Sequence, residues 1–330
     1  MEKIKKLSKV EHKVISALET DARQPFSRIG KKIKTSEQRV SYTISSLQKK
    51  EILKAFYSLI DYSRMSMLNF RVFFKVTYVD EKKLQELLQY LIDEPHTSWV
   101  TSLGGRYDLV CTFFAYNPSQ FNKVFKGIIE KFPQQLQNYS VLTTIVMRYF
   151  GKKTFSGVSD ELIIGGDREP YSLNNQDLFI LSIISNNARK SSVDIAAKLK
   201  VTPKTVIQKI KNLQTLKVIR GFKPFLDLSS VQYTTMLLMI KYHNVSVHEE
   251  VKLLEFLKQH PLVLTVVKLL GQWDLQIEIQ VQEMKQFRKL EIEIRKNFSN
   301  LISEIETLLV YQEHKKTFFP AFLIQTNNEK

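Results

Sequence analysis

Cysteine is nearly absent from this sequence: Cys111 is the only one in 330 residues. Disulfides within the chain and cysteine-based zinc sites are therefore excluded. Cys111 sits in the apolar run Leu109 to Phe114 and reads as a small buried hydrophobe. Glycine (10) and proline (9) are scarce, which argues against low-complexity or collagen-like classes. There is no Gly-rich phosphate loop. The six histidines, His12, His96, His243, His248, His260 and His314, are dispersed, with no pair at metal-ligand spacing on one helix. Neither a metal, a cofactor nor a catalytic residue is expected. No stretch reaches the roughly 18 apolar residues of a membrane span, and the opening MEKIKKLSKVEHK has no apolar signal core. The expectation is a cytoplasmic protein with no membrane partner.

What the chain does have is a second copy of itself. Leu7, Ala22, Arg23, Ile29, Lys32, Val40, Ile44, Leu47, Phe56 and Asp61 recur without gaps as Leu173, Ala188, Arg189, Ile195, Lys198, Val206, Ile210, Leu213, Phe222 and Asp227. The same offset carries Pro95, Gly105 and Asp108 onto Pro261, Gly271 and Asp274. So long a period is a whole-domain duplication, because solenoid and propeller repeats run about 20 to 50 residues.

The net charge of +16 is confined to the front third of each copy. Residues 1 to 60 hold 14 Lys/Arg against 6 Asp/Glu, and residues 173 to 226 hold 10 against 2. Each segment is +8, and the rest of the chain cancels. Basic charge located in two matching segments points to a polyanion, here nucleic acid.

Three short amphipathic helices fit each basic segment. Val10, Val14, Ile15 and Leu18 form the inward stripe of the first, matched by Ile180, Leu181 and Ile184. The second covers about Ser27 to Lys32 and Val193 to Leu199. The third begins behind Thr35 or Ser36 in copy one and behind Thr202-Pro203 in copy two, a side-chain cap followed by proline at the first helical position. Val40, Ile44 and Leu47, with Val206, Ile210 and Leu213, turn inward. That leaves Ser36, Gln38, Arg39 and Tyr42, and Thr202, Lys204, Thr205 and Gln208, facing outward. With the extended segments Ile52 to Ile60 and Val218 to Leu226, the pattern is a winged helix-turn-helix, whose third helix meets base edges in the major groove. Arg39 and Gln208 suit guanine and adenine respectively.

Behind each basic segment the period becomes strand-like in the order βαββαβ: Phe70 to Val79, Glu81 to Ile92, Trp99 to Leu103, Leu109 to Tyr116, Pro118 to Phe132 and Tyr139 to Tyr149. Copy two gives Thr234 to His243, Glu249 to Lys258, Val263 to Leu270, Leu275 to Val281, Glu283 to Phe298 and Ile302 to Tyr311. This is a ferredoxin-like unit with both helices on one sheet face. Strands apolar on both faces, RVFFKVTYV and TTMLLMIKY, require a second sheet to cover the other. Between the central strands stands Gly-x-aromatic-Asp: Gly105, Tyr107 and Asp108, and Gly271, Trp273 and Asp274. It reads as a hairpin turn whose Asp bonds turn amides, or as a ligand loop at a subunit boundary.

A helix-turn-helix followed by βαββαβ with this turn resembles the Lrp/AsnC (feast/famine) transcriptional regulators, here with the complete unit twice. The resemblance implies a sheet-to-sheet dimer and an effector, an amino acid or similar small molecule, near the glycine turns. Departing from that family, Glu51 and Lys217 stand where it places glycine after the recognition helix, and Arg106 in one turn faces Gln272 in the other. The expected class is α+β, divided as 1–64 helix-turn-helix, 65–151 βαββαβ, 152–172 linker, 173–230 helix-turn-helix, 231–323 βαββαβ and 324–330 tail. The expected partners are double-stranded DNA and the effector. The expected assembly is a pseudo-dimer within the chain, its sheets face to face and its glycine turns on the periphery where further copies could join. Siroheme decarboxylases resemble the same family and form the alternative. They would need a tetrapyrrole pocket with His and Arg, and no histidine here recurs at a shared position of the two copies.

Overall fold

The computed structural model describes residues 6–157, 161–243 and 246–324. Unit one opens with α1 (Lys9–Thr20), α2 (Phe26–Ile33) and α3 (Glu37–Lys49). Ser8 and Glu11 close a capping box on α1, satisfying two otherwise free end amides. Ser36, rather than Thr35, caps α3. After α3 the chain turns at Glu51, whose φ is 58°, while the Ile52 amide reaches back to the Leu47 carbonyl at 3.0 Å. Lys217 repeats this at φ 58°. Both helices thus end in the left-handed turn that glycine favours, and the non-glycine residues do not alter how they end.

The chain continues through β1 (Leu53–Ile60), a 3-10 turn at Tyr62–Met65, β2 (Leu68–Lys75), α4 (Glu81–Asp93), β3 (Thr97–Gly104), β4 (Leu109–Ala115), α5 (Pro118–Lys131) and β5 (Asn138–Tyr149). Next come α6 (Lys153–Ser156) and β6 (Leu162–Gly165). Unit two repeats the order: α7 (Asn175–Asn186), α8 (Ser192–Leu199), α9 (Pro203–Thr215), β7 (Ile219–Leu226), β8 (Thr234–Tyr242), α10 (Val247–Gln259), β9 (Val263–Leu270), β10 (Leu275–Val281), α11 (Met284–Asn297) and β11 (Ile302–Lys316).

Eight strands close on themselves in the order β2-β4-β3-β11-β8-β10-β9-β5, with β5 returning to β2. Each βαββαβ unit supplies four neighbours, and the long last strands make the joints. The first part of β11 pairs with β8 and its end pairs with β3; β5 pairs likewise with β2 and then β9. The two sheets therefore meet edge to edge as well as face to face. Strand β11 runs on to Lys316, because the charged segment Glu313 to Lys316 still finds a partner in Trp99 to Thr101.

Strand periodicity explains the layers. Phe70, Val72 and Phe74 of β2 face α4 and α5, whereas Phe73 faces the other sheet. Met236, Leu238 and Ile240 face α10 and α11, whereas Leu237 and Met239 face inward. Strands β2 and β8 thus bury both faces, as their lack of a polar side requires.

The helix-turn-helix pair is held by reciprocal contacts. Strands β1 and β7 pair antiparallel with each other, so the extended segments join the two units instead of standing alone as wings. The amide of Ala22 donates to the Phe222 carbonyl at 3.0 Å and that of Ala188 to the Phe56 carbonyl at 2.8 Å. Arg23 donates to the carbonyls of Ala188 and Lys190, and Arg189 to those of Ala22 and Gln24. Asp61 and Asp227 donate their amides to Val218 and Ile52. Several residues that match between the copies are thus the ones that bind each copy to the other.

Residues 152–172, expected as a plain linker, hold α6 and β6. Strand β6 pairs with β5, and the Gly165 amide donates to the Asp61 carboxylate at 2.8 Å. The segment is folded onto unit one because its apolar run Leu162 to Ile164 finds a free strand edge beside β5.

Candidate nucleic-acid interface and barrel pocket

Helices α3 and α9 expose the faces that the sequence assigned outward. Gln38, Arg39 and Tyr42 are exposed on α3, and Lys204 and Gln208 on α9. The Arg39 guanidinium lies over the Tyr42 ring at 5.8 Å, an arrangement that stiffens a long side chain. Ser36 and Thr202 are exposed, but their hydroxyls accept from the amides of Arg39 and Thr205 at 3.2 and 3.1 Å. Thr205 is only half-exposed and shares its hydroxyl with Thr202 at 2.9 Å. Gln208 donates to Asn212 at 2.9 Å. Ile207, which the sequence reading did not assign to either face, is 45% exposed beside Gln208. An exposed aliphatic group there can meet a thymine methyl.

The two Gly-x-aromatic-Asp turns come together at one end of the barrel. Tyr107 and Trp273 are buried at 6% and 1% exposure in the layer between the sheets, and the Tyr107 hydroxyl donates to Gln272 at 3.3 Å. Gly105 and Gly271 have φ of 120° and 140°. A side chain at Gly271 would meet Leu142 at 2.6 Å, and one at Gly105 would meet the Thr307 carbonyl at 3.2 Å. The glycines are needed both for backbone sign and for close approach of the other unit. Asp108 and Asp274 do not bond turn amides as expected. They accept from the amides of Val76 and Tyr242, each at 2.8 Å, and pair with Lys75 and Lys241, each at 3.1 Å. The reason is reach: each carboxylate points across to the end of its neighbouring strand. The glycines lie at the surface as expected, while the aromatic residues plug the barrel.

Toward the helix-turn-helix pair the barrel interior becomes polar and opens into a cavity of about 70 Å³. Arg71 is its central cation, 6% exposed. Its Nε donates to Thr144 at 3.2 Å and its Nη1 to Gln276 at 2.9 Å, and the guanidinium lies 5.4 Å over the Trp99 ring. Burial pulls it down to about 10, so it stays charged at neutral pH. Glu278, two residues along β10 from Gln276, also lines the cavity and accepts from Thr265 at 2.9 Å. Lys316 also lines the cavity, paired with Glu313 at 2.9 Å. The Tyr62 hydroxyl, buried on the same lining, has no hydrogen-bond partner among the described residues. Sequence reading missed this site, although an arginine in a strand apolar on both faces was the available signal. No histidine lines the cavity. Among the described residues no cluster suits a metal ion, and no helix is long and apolar enough to cross a membrane. Cys111 is fully buried, and burial pushes its thiol up.

Residues 173–220 match the family model of a winged helix-turn-helix DNA-binding domain. An uncharacterized HTH-type transcriptional regulator of Pyrococcus furiosus is 22% identical over 147 residues, 44% of this chain and 95% of that protein. The crystal structure of the siroheme decarboxylase NirDL has a TM-score of 0.62 at 16% identity, covering 97% of this chain and 99% of its own. The same enzyme in co-complex with an iron-uroporphyrin III analogue has a TM-score of 0.61. Escherichia coli AsnC is 20% identical over 43% of this chain and 94% of its own, with a TM-score of 0.38. The chain is an α+β protein of two tandem units, each a helix-turn-helix followed by a ferredoxin-like βαββαβ module, the arrangement implied by its resemblance to the Lrp/AsnC regulators.

Proposed function

We propose that this protein is a sequence-specific DNA-binding transcriptional regulator that responds to a small effector. The observation that carries the reading is the clasped helix-turn-helix pair, which presents two exposed third helices from segments of +8 charge each. The match of one segment to a DNA-binding family model and the transcriptional regulator among the relatives support it. One chain then does what two copies of a single-unit relative would do, placing two recognition helices on successive major grooves about 34 Å apart.

The faces of α3 and α9 differ, Arg39 and Tyr42 standing where Thr205 and Gln208 stand in the other copy. The operator is therefore an imperfect palindrome. Arg39→Ala is expected to cost about 1 to 3 kcal/mol and to relax base choice at one half-site only. Selection of binding sequences from a randomised duplex pool, with wild type and variant, checks this. Equal weakening on every sequence would make Arg39 a phosphate contact.

The near full-length likeness to a siroheme decarboxylase favours a second reading, an enzyme acting on a tetrapyrrole. The cavity around Arg71, about 70 Å³, is too small to be its site, since ligand pockets for larger molecules hold about 300 to 1,000 Å³; the open groove lined by His12, Lys13, Lys32 and Phe155 is larger, about 450 Å³. Added siroheme is expected to leave its own visible absorption unchanged on mixing with the protein. A shifted band, followed by loss of carboxylate groups from the macrocycle, would favour the enzyme.

A further inference from the structure

The cavity beneath the helix-turn-helix pair holds Arg71, Glu278 and Lys316; Lys316 is paired with Glu313, while Arg71 and Glu278 form no ion pair with each other among the described residues. Arg71 uses Nε and Nη1 on Thr144 and Gln276, while Glu278 is held by Thr265. Leaving a guanidinium buried without a carboxylate partner is costly unless something else completes it. The Tyr62 hydroxyl is a second incomplete group on the same lining. A lone anion would satisfy Arg71 and repel Glu278, and a lone cation the reverse. A zwitterion satisfies both and adds no net charge. Apolar lining from Phe114, Met147 and Phe318 leaves room for a side chain. At about 70 Å³ the cavity is well above the roughly 10 to 15 Å³ that a single water requires and well below the roughly 300 Å³ of a drug-sized pocket, which sets the occupant as a small molecule.

We propose that the effector is a small α-amino acid bound in this cavity, its carboxylate on Arg71, its ammonium on Glu278, and Tyr62 completing the carboxylate's hydrogen bonds. The site is not at the glycine turns. This deepens the regulator reading and rests on it for the word effector, though binding itself can be measured without DNA. Copy two has no equivalent site, because the positions matching Arg71 and Glu278 hold Leu237 and Thr112. Each chain therefore binds one molecule, where sites at the glycine turns would give two. The occupant also touches the DNA-binding layer. Tyr62 belongs to the turn that follows β1, and Phe318 stacks on Tyr57 of β1 at 5.7 Å. Strand β1 is in turn paired with β7 of the other helix-turn-helix. Filling the cavity therefore presses on the joint between the two recognition helices.

Titration calorimetry of the full-length protein against the twenty L-amino acids tests this, followed by the deaminated acid and the decarboxylated amine of each binder. The expected result is a small amino acid bound at one per chain, with both truncated analogues, Arg71→Met and Glu278→Gln each weakened by roughly 10- to 100-fold, the loss of one charge-assisted bond. Tyr62→Phe removes a hydroxyl that is unpartnered in the free protein. It is expected to weaken binding several-fold without lowering the thermal midpoint, which keeps the test decisive if Arg71→Met does not fold. Two molecules per chain, equal binding of either analogue, or affinity unchanged in Glu278→Gln and Tyr62→Phe would each overturn the proposal. So would no binding up to about 10 mM. If DNA binding holds in that last case, the cavity proposal falls alone; if DNA binding also fails, the regulator reading falls with it.

Discussion

Raising monovalent salt from about 50 to about 200 mM is expected to weaken duplex DNA binding by roughly 10³- to 10⁵-fold. The size of the effect follows from where the charge lies. Both helix-turn-helix segments carry +8, whereas the ferredoxin-like modules are close to neutral, so the basic surface is concentrated where the recognition helices are. If each segment neutralises roughly three to five phosphates, log K falls with log salt at a slope of about −5 to −9, at roughly −0.9 per phosphate. The clasp of Arg23 and Arg189 fixes the two segments together, so their contacts are lost or kept as one. Fluorescence anisotropy on a labelled duplex across this salt range measures the slope. A flat response would remove nucleic acid as the partner.

Trp273→Ala is expected to cost about 3 to 5 kcal/mol of stability, the range for deleting a large buried aromatic side chain. Trp273 is 1% exposed and sits in the layer shared by the two sheets with Phe73, Leu142 and Leu308. Its removal opens a cavity where the strands are anchored on both sides by pairing, so the walls cannot collapse inward. Trp273→Phe is expected to cost much less, within about 1.5 kcal/mol, because it keeps most of the packing and removes an indole N–H that has no partner among the described residues. Urea denaturation of the full chain reads both. If the alanine variant cost under about 1 kcal/mol, the turn aromatic would not be a barrel plug, and a ligand role for Trp273 at the turn would regain ground.

The sequence by itself determined the units and their order. Offset identity showed the duplication, helical stripes such as Val40, Ile44 and Leu47 set the inward face of each third helix, and apolar residues on both faces of RVFFKVTYV showed that the sheet needed cover on both sides. These are local signals, with a period of 3.6 or 2 that survives without knowledge of the partner. The capping of α9 by Thr202 was legible for the same reason. Tertiary structure decided what lay across the gap between units. The matched pairs Ala22 and Ala188, and Arg23 and Arg189, look like ordinary repeated residues in sequence, yet each reaches the opposite copy. The turn carboxylates Asp108 and Asp274 bond strand ends that lie 32 residues away in the chain. Strand β11 continues past Tyr311 through five charged or polar residues because β3 offers hydrogen bonds that no local pattern announces. The cavity around Arg71 and Glu278 exists only where β2 and β10, from different units, face one another. Periodicity fixes which way a side chain points; only closure of the barrel fixes what it points at.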